Sequence, residues 1–277
     1  MSTEVVAEKQ PPIMRRLPGA RRLTDGHVLY WWVEIMAVLA YYGVYSVIRN
    51  FNSGSLANPP AHALDHARQV IEFEQRIGLF HEHRIQDMAE HFTPLIVAAN
   101  YFYGSFHFVV TIGVGIFLYV KWSNDYPRFR NALAIATALA LIGFTLYPLT
   151  PPRLLSMYGV NQYGFHDTLA TYPTFWSFNS GSMKSVSNQF AAMPSVHCAW
   201  ATWCAVALYS RVKHRWAKVL AVLYPITTLY VIIITANHYW IDAIGGLTIL
   251  ALGFLFSGWF TRAGRKRAPK ESDPALT

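Results

Sequence analysis

Six stretches of the chain are apolar over enough consecutive residues to predict membrane-spanning helices. They run about Val28–Ile48, Pro94–Val120, Ala132–Tyr147, Val196–Tyr209, Ala217–Thr235 and Tyr239–Phe260, judged against the roughly 20 apolar residues that a bilayer core demands. The third and fourth are short, so polar residues at their outer ends are expected to dip into the membrane. Tyr30, Trp31, Trp32, Trp122, Trp216, Trp240 and Trp259 fall at or near the ends of these stretches, as an interfacial aromatic belt would place them. Two long polar segments interrupt the pattern. In residues 49–93, Ala67, Val70, Ile71, Glu74 and Ile77 recur at helical spacing, which predicts one or two helices lying at the membrane interface. Residues 149–193 are rich in Pro, Gly, Ser, Asn and aromatics. A loop of that length in a compact protein is usually functional.

The expected fold class is therefore all-α: a polytopic membrane protein of six transmembrane helices with one or two interfacial helices. A basic tail (1–27) precedes the membrane domain (28–260), and a second basic tail (261–277), disordered after Arg262, follows it. The first tail has no apolar core of its own, which marks it as a cytosolic tail and not a cleaved signal peptide.

Composition agrees. Charged residues make up 14% of the 277, against about 25% in soluble domains. A net charge of +8 raises the prospect of nucleic acid binding, but the basic residues cluster between the apolar stretches. Of the 23 Lys and Arg, 17 fall in the two tails and in the loops after the second and fourth stretches. By the positive-inside rule both termini are cytoplasmic, and the two long segments face outward. A plasma (inner) membrane location follows, with no nucleic acid partner. Cys198 and Cys204 lie six apart in one apolar stretch, off a common helix face, so no disulfide between them is expected.

Three polar clusters fall at the outer ends of stretches: Pro151-Pro152-Arg153, Pro194-Ser195-Val196-His197, and Asn237-His238-Tyr239-Trp240-Ile241-Asp242. Ionisable groups at membrane depth are costly and default to function. On a helix, His238 and Asp242 would share a face, with the carboxylate holding one ring nitrogen and leaving the other neutral and nucleophilic. Ser195 opens a helix whose free amides suit an anion, and His197 is placed to donate a proton. Arg153 offers a permanent, forked charge for phosphate. Each cluster also has a structural reading: a buried His–Asp tie between spans, an N-cap serine beside an interfacial histidine, and an arginine snorkelling to headgroups. Together they resemble a phosphoryl-transfer site. A rival is a zinc site among His62, His66, His81, His83, His91 and His166 and their acidic neighbours. No pair there has strong ligand spacing with a matching third residue, and no metal or cofactor is expected.

Pro194-Ser195-Val196-His197 followed by His238-x-x-x-Asp242 resembles the type 2 phosphatidic acid phosphatase (PAP2) superfamily, with its PSGH-like and later H-x-x-x-D motifs. The likeness spans roughly Pro94 to Gly258, and FEQRIGLFHEHRIQ is also in character. Pro-Pro-Arg, Asn-Gln-Phe-Ala-Ala-Met-Pro-Ser and His-Tyr-Trp-Ile-Asp look closest to the inositolphosphotransferase branch, which includes inositol phosphorylceramide synthases. The resemblance implies His238 as the nucleophile forming a phosphohistidine, Asp242 as its orienting group, and His197 as the general acid. It implies Ser195 and nearby amides as holders of phosphoryl oxygens, with Arg153 ending the first motif. Leu146 stands where that motif has Lys, Ile232 where the third has Arg, and Val196 where PSGH has Gly. Lys184, in the outer loop, is the candidate to replace one missing cation.

The reading is a metal-independent membrane enzyme acting on a lipid phosphate or phospholipid, with water or an alcohol as acceptor. The alternative is a non-catalytic lipid-binding or transport protein that retains an anion site. In that case His197 and His238 would stand too far apart to flank one phosphorus. The topology has a direct check: Asn161→Cys should react with an impermeant thiol reagent in intact cells. Labelling only after permeabilisation would overturn the orientation.

Overall fold

The computed structural model describes residues 20–24, 27–52, 56, 58–172, 174 and 188–267. The described chain is mostly helical. The helices are α1 (Trp31–Asn52), α2 (Ala63–Arg76), α3 (Glu82–Glu90), α4 (Thr93–Lys121), α5 (Tyr126–Leu146), α6 (Thr168–Thr171), α7 (Val196–Tyr209), α8 (Arg215–Ile234) and α9 (Trp240–Arg267). Four of these, α4, α5, α8 and the Trp240–Trp259 portion of α9, are long and apolar enough to cross a membrane. Helix α7 is apolar but has 14 residues, about 21 Å of rise. All six apolar stretches thus become helices.

The helices differ from the apolar stretches at their edges. The helix of the third stretch begins before Ala132, at Tyr126. Pro127 sits at its N-terminus, where the missing N–H costs nothing. Arg130 lies inside this helix and pairs with Glu34 of α1 at 2.5 Å. In the last stretch the membrane-length portion ends at Trp259, in line with the apolar pattern, while the helix itself runs on to Arg267. The chain is also not purely helical. Arg21–Arg22 pairs antiparallel with Val28–Leu29 as a two-residue ladder, β1 and β2.

Large apolar side chains such as Val109, Ile112, Ile116, Leu220, Ile226 and Leu255 face outward on the long helices. A soluble monomer rarely exposes so much contiguous apolar surface. Inside, Val114, Leu118, Phe129, Ala140, Trp203 and Leu250 pack α4, α5, α7 and α9 together. A second apolar cluster caps one end of the bundle. There Ala67, Val70 and Ile71 of α2 pack on Leu149, Leu155, Phe165 and Tyr239. Those α2 positions are the inward stripe anticipated from spacing, except that Ile77 lies past the helix end and is exposed. At the opposite end the basic loops gather: Thr24 bonds Asn124 at 2.8 Å, and Arg211 pairs with Asp125. Cys198 and Cys204 are free and buried.

The fold's tightest constraint is a backbone crossing. The N–H of Ser195 donates to the carbonyl of Asp242 at 2.8 Å, so the start of α7 lies directly on the first turns of α9. Glycine makes the approach possible. A Cβ at Gly246 would stand 2.3 Å from the Ser195 carbonyl oxygen, and at Gly245 3.1 Å from Pro194 Cβ. The obstacle at Gly246 is backbone, which cannot rotate aside. Gly246→Ala should therefore cost about 1–3 kcal/mol of overpacking and pull the Ser195 and Asp242 segments apart. A lowered thermal midpoint in detergent, with activity lost well below that midpoint, is the expected result. Wild-type values of both would show the crossing to be slack.

Candidate active site

The third polar cluster is set by how α8 ends. Asn237 N–H donates to Ile232 O at 3.0 Å and Ala236 N–H to Ile233 O at 2.9 Å, the paired bonds of a Schellman motif. Ala236 takes the left-handed position, φ 49°, where glycine would be less strained. Four residues after Ala236, α9 begins at Trp240. His238 therefore sits in the turn between helices.

This corrects the expected geometry of His238 and Asp242. They do not stack on one helix face, because His238 precedes the helix. Asp242, in the first turn of α9, reaches back. Its Oδ2 accepts the Tyr239 N–H at 3.0 Å and stands 3.2 Å from His238 Nδ1. The first of these is the return half of a capping box, a side chain at N3 accepting the N-cap amide. The pair is sealed, with His238 2% and Asp242 0% exposed. With Nδ1 held by the carboxylate, Nε2 points toward Ser195, whose Oγ is 3.5 Å away.

Ser195 is the N-cap of α7. Its side chain accepts the Cys198 N–H, and the first amides of a helix have no acceptor within it. One residue into the helix, the His197 ring stands 5.6 Å from that of His238, centroid to centroid. His197 is stacked on Tyr103 at 4.4 Å and meets the edge of His107 at 4.4 Å. The His107 Nδ1 lies 3.0 Å from the Tyr103 carbonyl. Tyr103 and His107 both come from α4 and went unremarked in the sequence, although a histidine within an apolar stretch was the signal that would have found His107.

Arg153 occupies a 3₁₀ turn, Pro152–Leu154, with its N–H on the Ala236 carbonyl. It is 4% exposed, so it is not a snorkelling arginine. Each of its three guanidinium nitrogens makes a hydrogen bond, which uses three of its five N–H donors. Nε donates to Asn237 Oδ1 at 2.9 Å, Nη1 to Asp167 Oδ2 at 3.0 Å and Nη2 to Gln189 Oε1. Asp167 is itself fixed by capping α6 through Leu169 and Ala170 N–H. Asn237, Asp167 and Gln189 are further polar partners that spacing alone did not identify.

Between these groups lies a cavity of about 60 Å³, lined by Tyr103, Pro151, Arg153, Gln189, Asn237 and His238 among others. That is room for several waters. His197 does not line it. With Tyr103 and His107 it borders an adjoining crevice, and Tyr103 forms a wall of both. The structure thus brings His238, Asp242, His197, Ser195 and Arg153 together. Lys184 lies outside the described residues. Ile232 is fully buried and Leu146 exposed, and neither apolar side chain supplies a cation.

The outer histidines are dispersed. His166 pairs with Glu90 at 2.7 Å, and His62 stands near Asp65. His66 is held by the Pro148 carbonyl and stacks on Tyr147. Among the described residues no group of three His, Cys, Asp or Glu side chains is placed to hold a metal.

Comparison with known proteins gives a consistent outcome. No curated protein and no solved structure matches the chain. The family model of the PAP2 superfamily matches residues 68–256, a span running from α2 into α9 that contains every side chain of the cluster just described. The chain belongs to the PAP2 superfamily.

Proposed function

We propose that this protein is a metal-independent membrane enzyme that cleaves or transfers a lipid-linked phosphoester through a phosphohistidine on His238. Membership of the superfamily indicates phosphatase or phosphotransferase chemistry on a phosphate ester. The observation that carries the reading to named residues is the placement of two histidine rings 5.6 Å apart, one of them locked to a buried carboxylate. Reacting atoms approach to about 3–3.5 Å, and rings at this separation are close enough for both to act on one phosphorus. That geometry argues against the non-catalytic alternative.

In this reading the substrate phosphorus sits beside His238 Nε2. Asp242 holds Nδ1–H, so the Nε2 lone pair attacks as the P–O bond to the leaving group breaks. His197 gives that oxygen its proton. Ser195 Oγ and the opening amides of α7 hold the phosphoryl oxygens. Arg153, fixed by Asn237, Asp167 and Gln189, supplies the charge. Water or an alcohol, giving its proton to the now neutral His197, then attacks the phosphorus, and the P–N bond breaks to free His238. Among the described residues Arg153 is the cation lining the cavity, and Asp167 already balances it. A singly charged phosphodiester suits that balance better than a doubly charged monoester. This favours transfer or diester cleavage, as in the inositolphosphotransferase branch. Six spans, α1, α4, α5, α7, α8 and α9, complete the topology. The interfacial helices α2 and α3 and the site lie on the outer face of the plasma membrane, with both termini cytoplasmic.

His238 must be neutral while His197 is protonated, so the rate should be bell-shaped in pH. Labelled lipid phosphate should leave an acid-labile phosphoryl group on His238, lost in His238→Ala. His197→Ala should slow formation of that intermediate most for poor leaving groups. Asp242→Asn should lower the rate by orders of magnitude through the wrong tautomer. Chelators should leave activity intact. Normal turnover by His238→Ala, or zinc-restored activity after EDTA, would sink the mechanism.

Arg153→Ala should cost about 3 kcal/mol, on the order of 100-fold in rate. Arg153→Lys should recover little of it, because an ammonium cannot reproduce the three-way fork. Lys184→Ala should have the smaller effect, and an equal loss would assign that lysine the role left empty at Ile232. Unchanged kinetics in Arg153→Ala would remove the arginine from the site.

A further inference from the structure

Two buried glutamates outside the cavity bear on the same helix. Glu74 of α2 and Glu82 of α3 are both 0% exposed. Their side chains converge on the N-terminus of α9. Glu74 Oε1 accepts the Ile241 N–H at 2.8 Å, and Glu82 Oε1 accepts the Trp240 N–H at 3.4 Å. With Asp242 taking the Tyr239 N–H, three consecutive amides at the head of this helix are met by three carboxyl groups. Helix N-termini favour negative charge, but three buried carboxylates in one place repel strongly. The remaining oxygens, Glu74 Oε2 and Glu82 Oε2, are sealed from water and find no donor while both groups are ionised.

We propose that Glu74 and Glu82 are positioning residues that share one proton, and that this carboxyl–carboxylate clamp seats the segment carrying His238 and Asp242. The shared proton turns one orphaned oxygen into a donor to the other and removes one charge from the cluster. Burial, then the hydrogen bond to Glu82 and the charge of Glu82, push the Glu74 carboxyl from its ordinary 4.5 up to about 9. The titratable groups facing the pair are Asp242 and Tyr239 of the catalytic segment, with Tyr163 of the outer loop beyond Tyr239. The folded state holds this proton more tightly than the unfolded chain does. The stability tied to it is therefore whole below the ordinary glutamate value, and is lost as pH climbs through about 9.

Glutamine separates the proton from the shape. In either single variant the amide oxygen still accepts the helix N–H, and the NH₂ donates to the opposite carboxylate without titrating. With both replaced, two NH₂ groups face each other and neither has an acceptor. The test is thermal unfolding of the purified full-length protein in detergent, followed between about pH 6 and pH 9, with kinetics beside it. The wild type should lose thermal stability across that range. Glu74→Gln and Glu82→Gln should flatten the loss and keep activity within a few-fold. Glu74→Gln/Glu82→Gln should be destabilised at every pH. Glu82→Ala should lower kcat by about tenfold or more with KM little changed, because displaced reacting atoms cost rate before binding. A pH slope in Glu74→Gln equal to the wild type would overturn the shared proton. A double variant as stable as the singles would overturn the clamp. The kinetic arm rests on the enzymatic reading above and the thermal arm does not, so inactive wild-type protein would retire that reading while the thermal series still decides the clamp.

Discussion

The backbone hydrogen bond from Ser195 N–H to the Asp242 carbonyl is the contact on which the candidate site depends. It joins two sequence motifs 47 positions apart at main-chain distance, leaving no slack for side-chain adjustment. Gly245 and Gly246 supply the missing volume. Once the two helix starts are pressed together, Ser195 Oγ must meet His238 Nε2 and the His197 ring must face that of His238. The catalytic reading is thus a consequence of a packing constraint.

The second organising feature is satisfaction of helix ends. Where α8 stops and α9 starts, the amides of Tyr239, Trp240 and Ile241 each find a carboxyl oxygen. Asp242 serves its own segment, while Glu74 and Glu82 arrive from the amphipathic segment before α4. Gln86 extends that segment's reach, donating to the His166 carbonyl and accepting its N–H, next to the Asp167 that holds Arg153. The residues between the first two long apolar stretches are therefore the scaffold for both halves of the site. Buried polar groups of this kind are costly if any member is left unmatched. Here Glu74 Oε2 and Glu82 Oε2 stand among the unmatched buried atoms, with Asp242 Oδ1 and Trp240 Nε1 nearby, and one shared proton matches the two glutamate oxygens.

Arginine placement follows the same economy. Arg153 is buried with all three of its nitrogens bound, so its charge is held at one point beside His238. A free surface arginine would lose entropy on binding an anion. A guanidinium already fixed by Asn237, Asp167 and Gln189 loses little. The attendant Asp167 lowers the net charge beside the cavity.

Much was legible in the sequence. Apolar runs marked all six long helices, because lipid-facing surface requires uninterrupted hydrophobicity whatever the tertiary arrangement. The spacing of Ala67, Val70, Ile71 and Glu74 marked a stripe that is buried, and the motifs at Ser195–His197 and His238–Asp242 marked polar groups that the fold brings together. Edges were less legible, since α5 begins at Tyr126 and takes in Arg130, whose partner Glu34 lies on α1. The tertiary structure alone decided the rest. His238 and Asp242 meet through a capping turn and not along a helix face, because α8 ends in a left-handed residue at Ala236. Tyr103, His107, Asp167 and Gln189 join from elements far away in the chain. Glu74 fell on the periodic stripe of α2, but its meeting with Glu82 on the first turn of α9 was decided by folding. Periodicity reports which face of an element is buried, and local motifs report chemistry. Which buried polar groups meet is settled by helix crossings that no local pattern encodes.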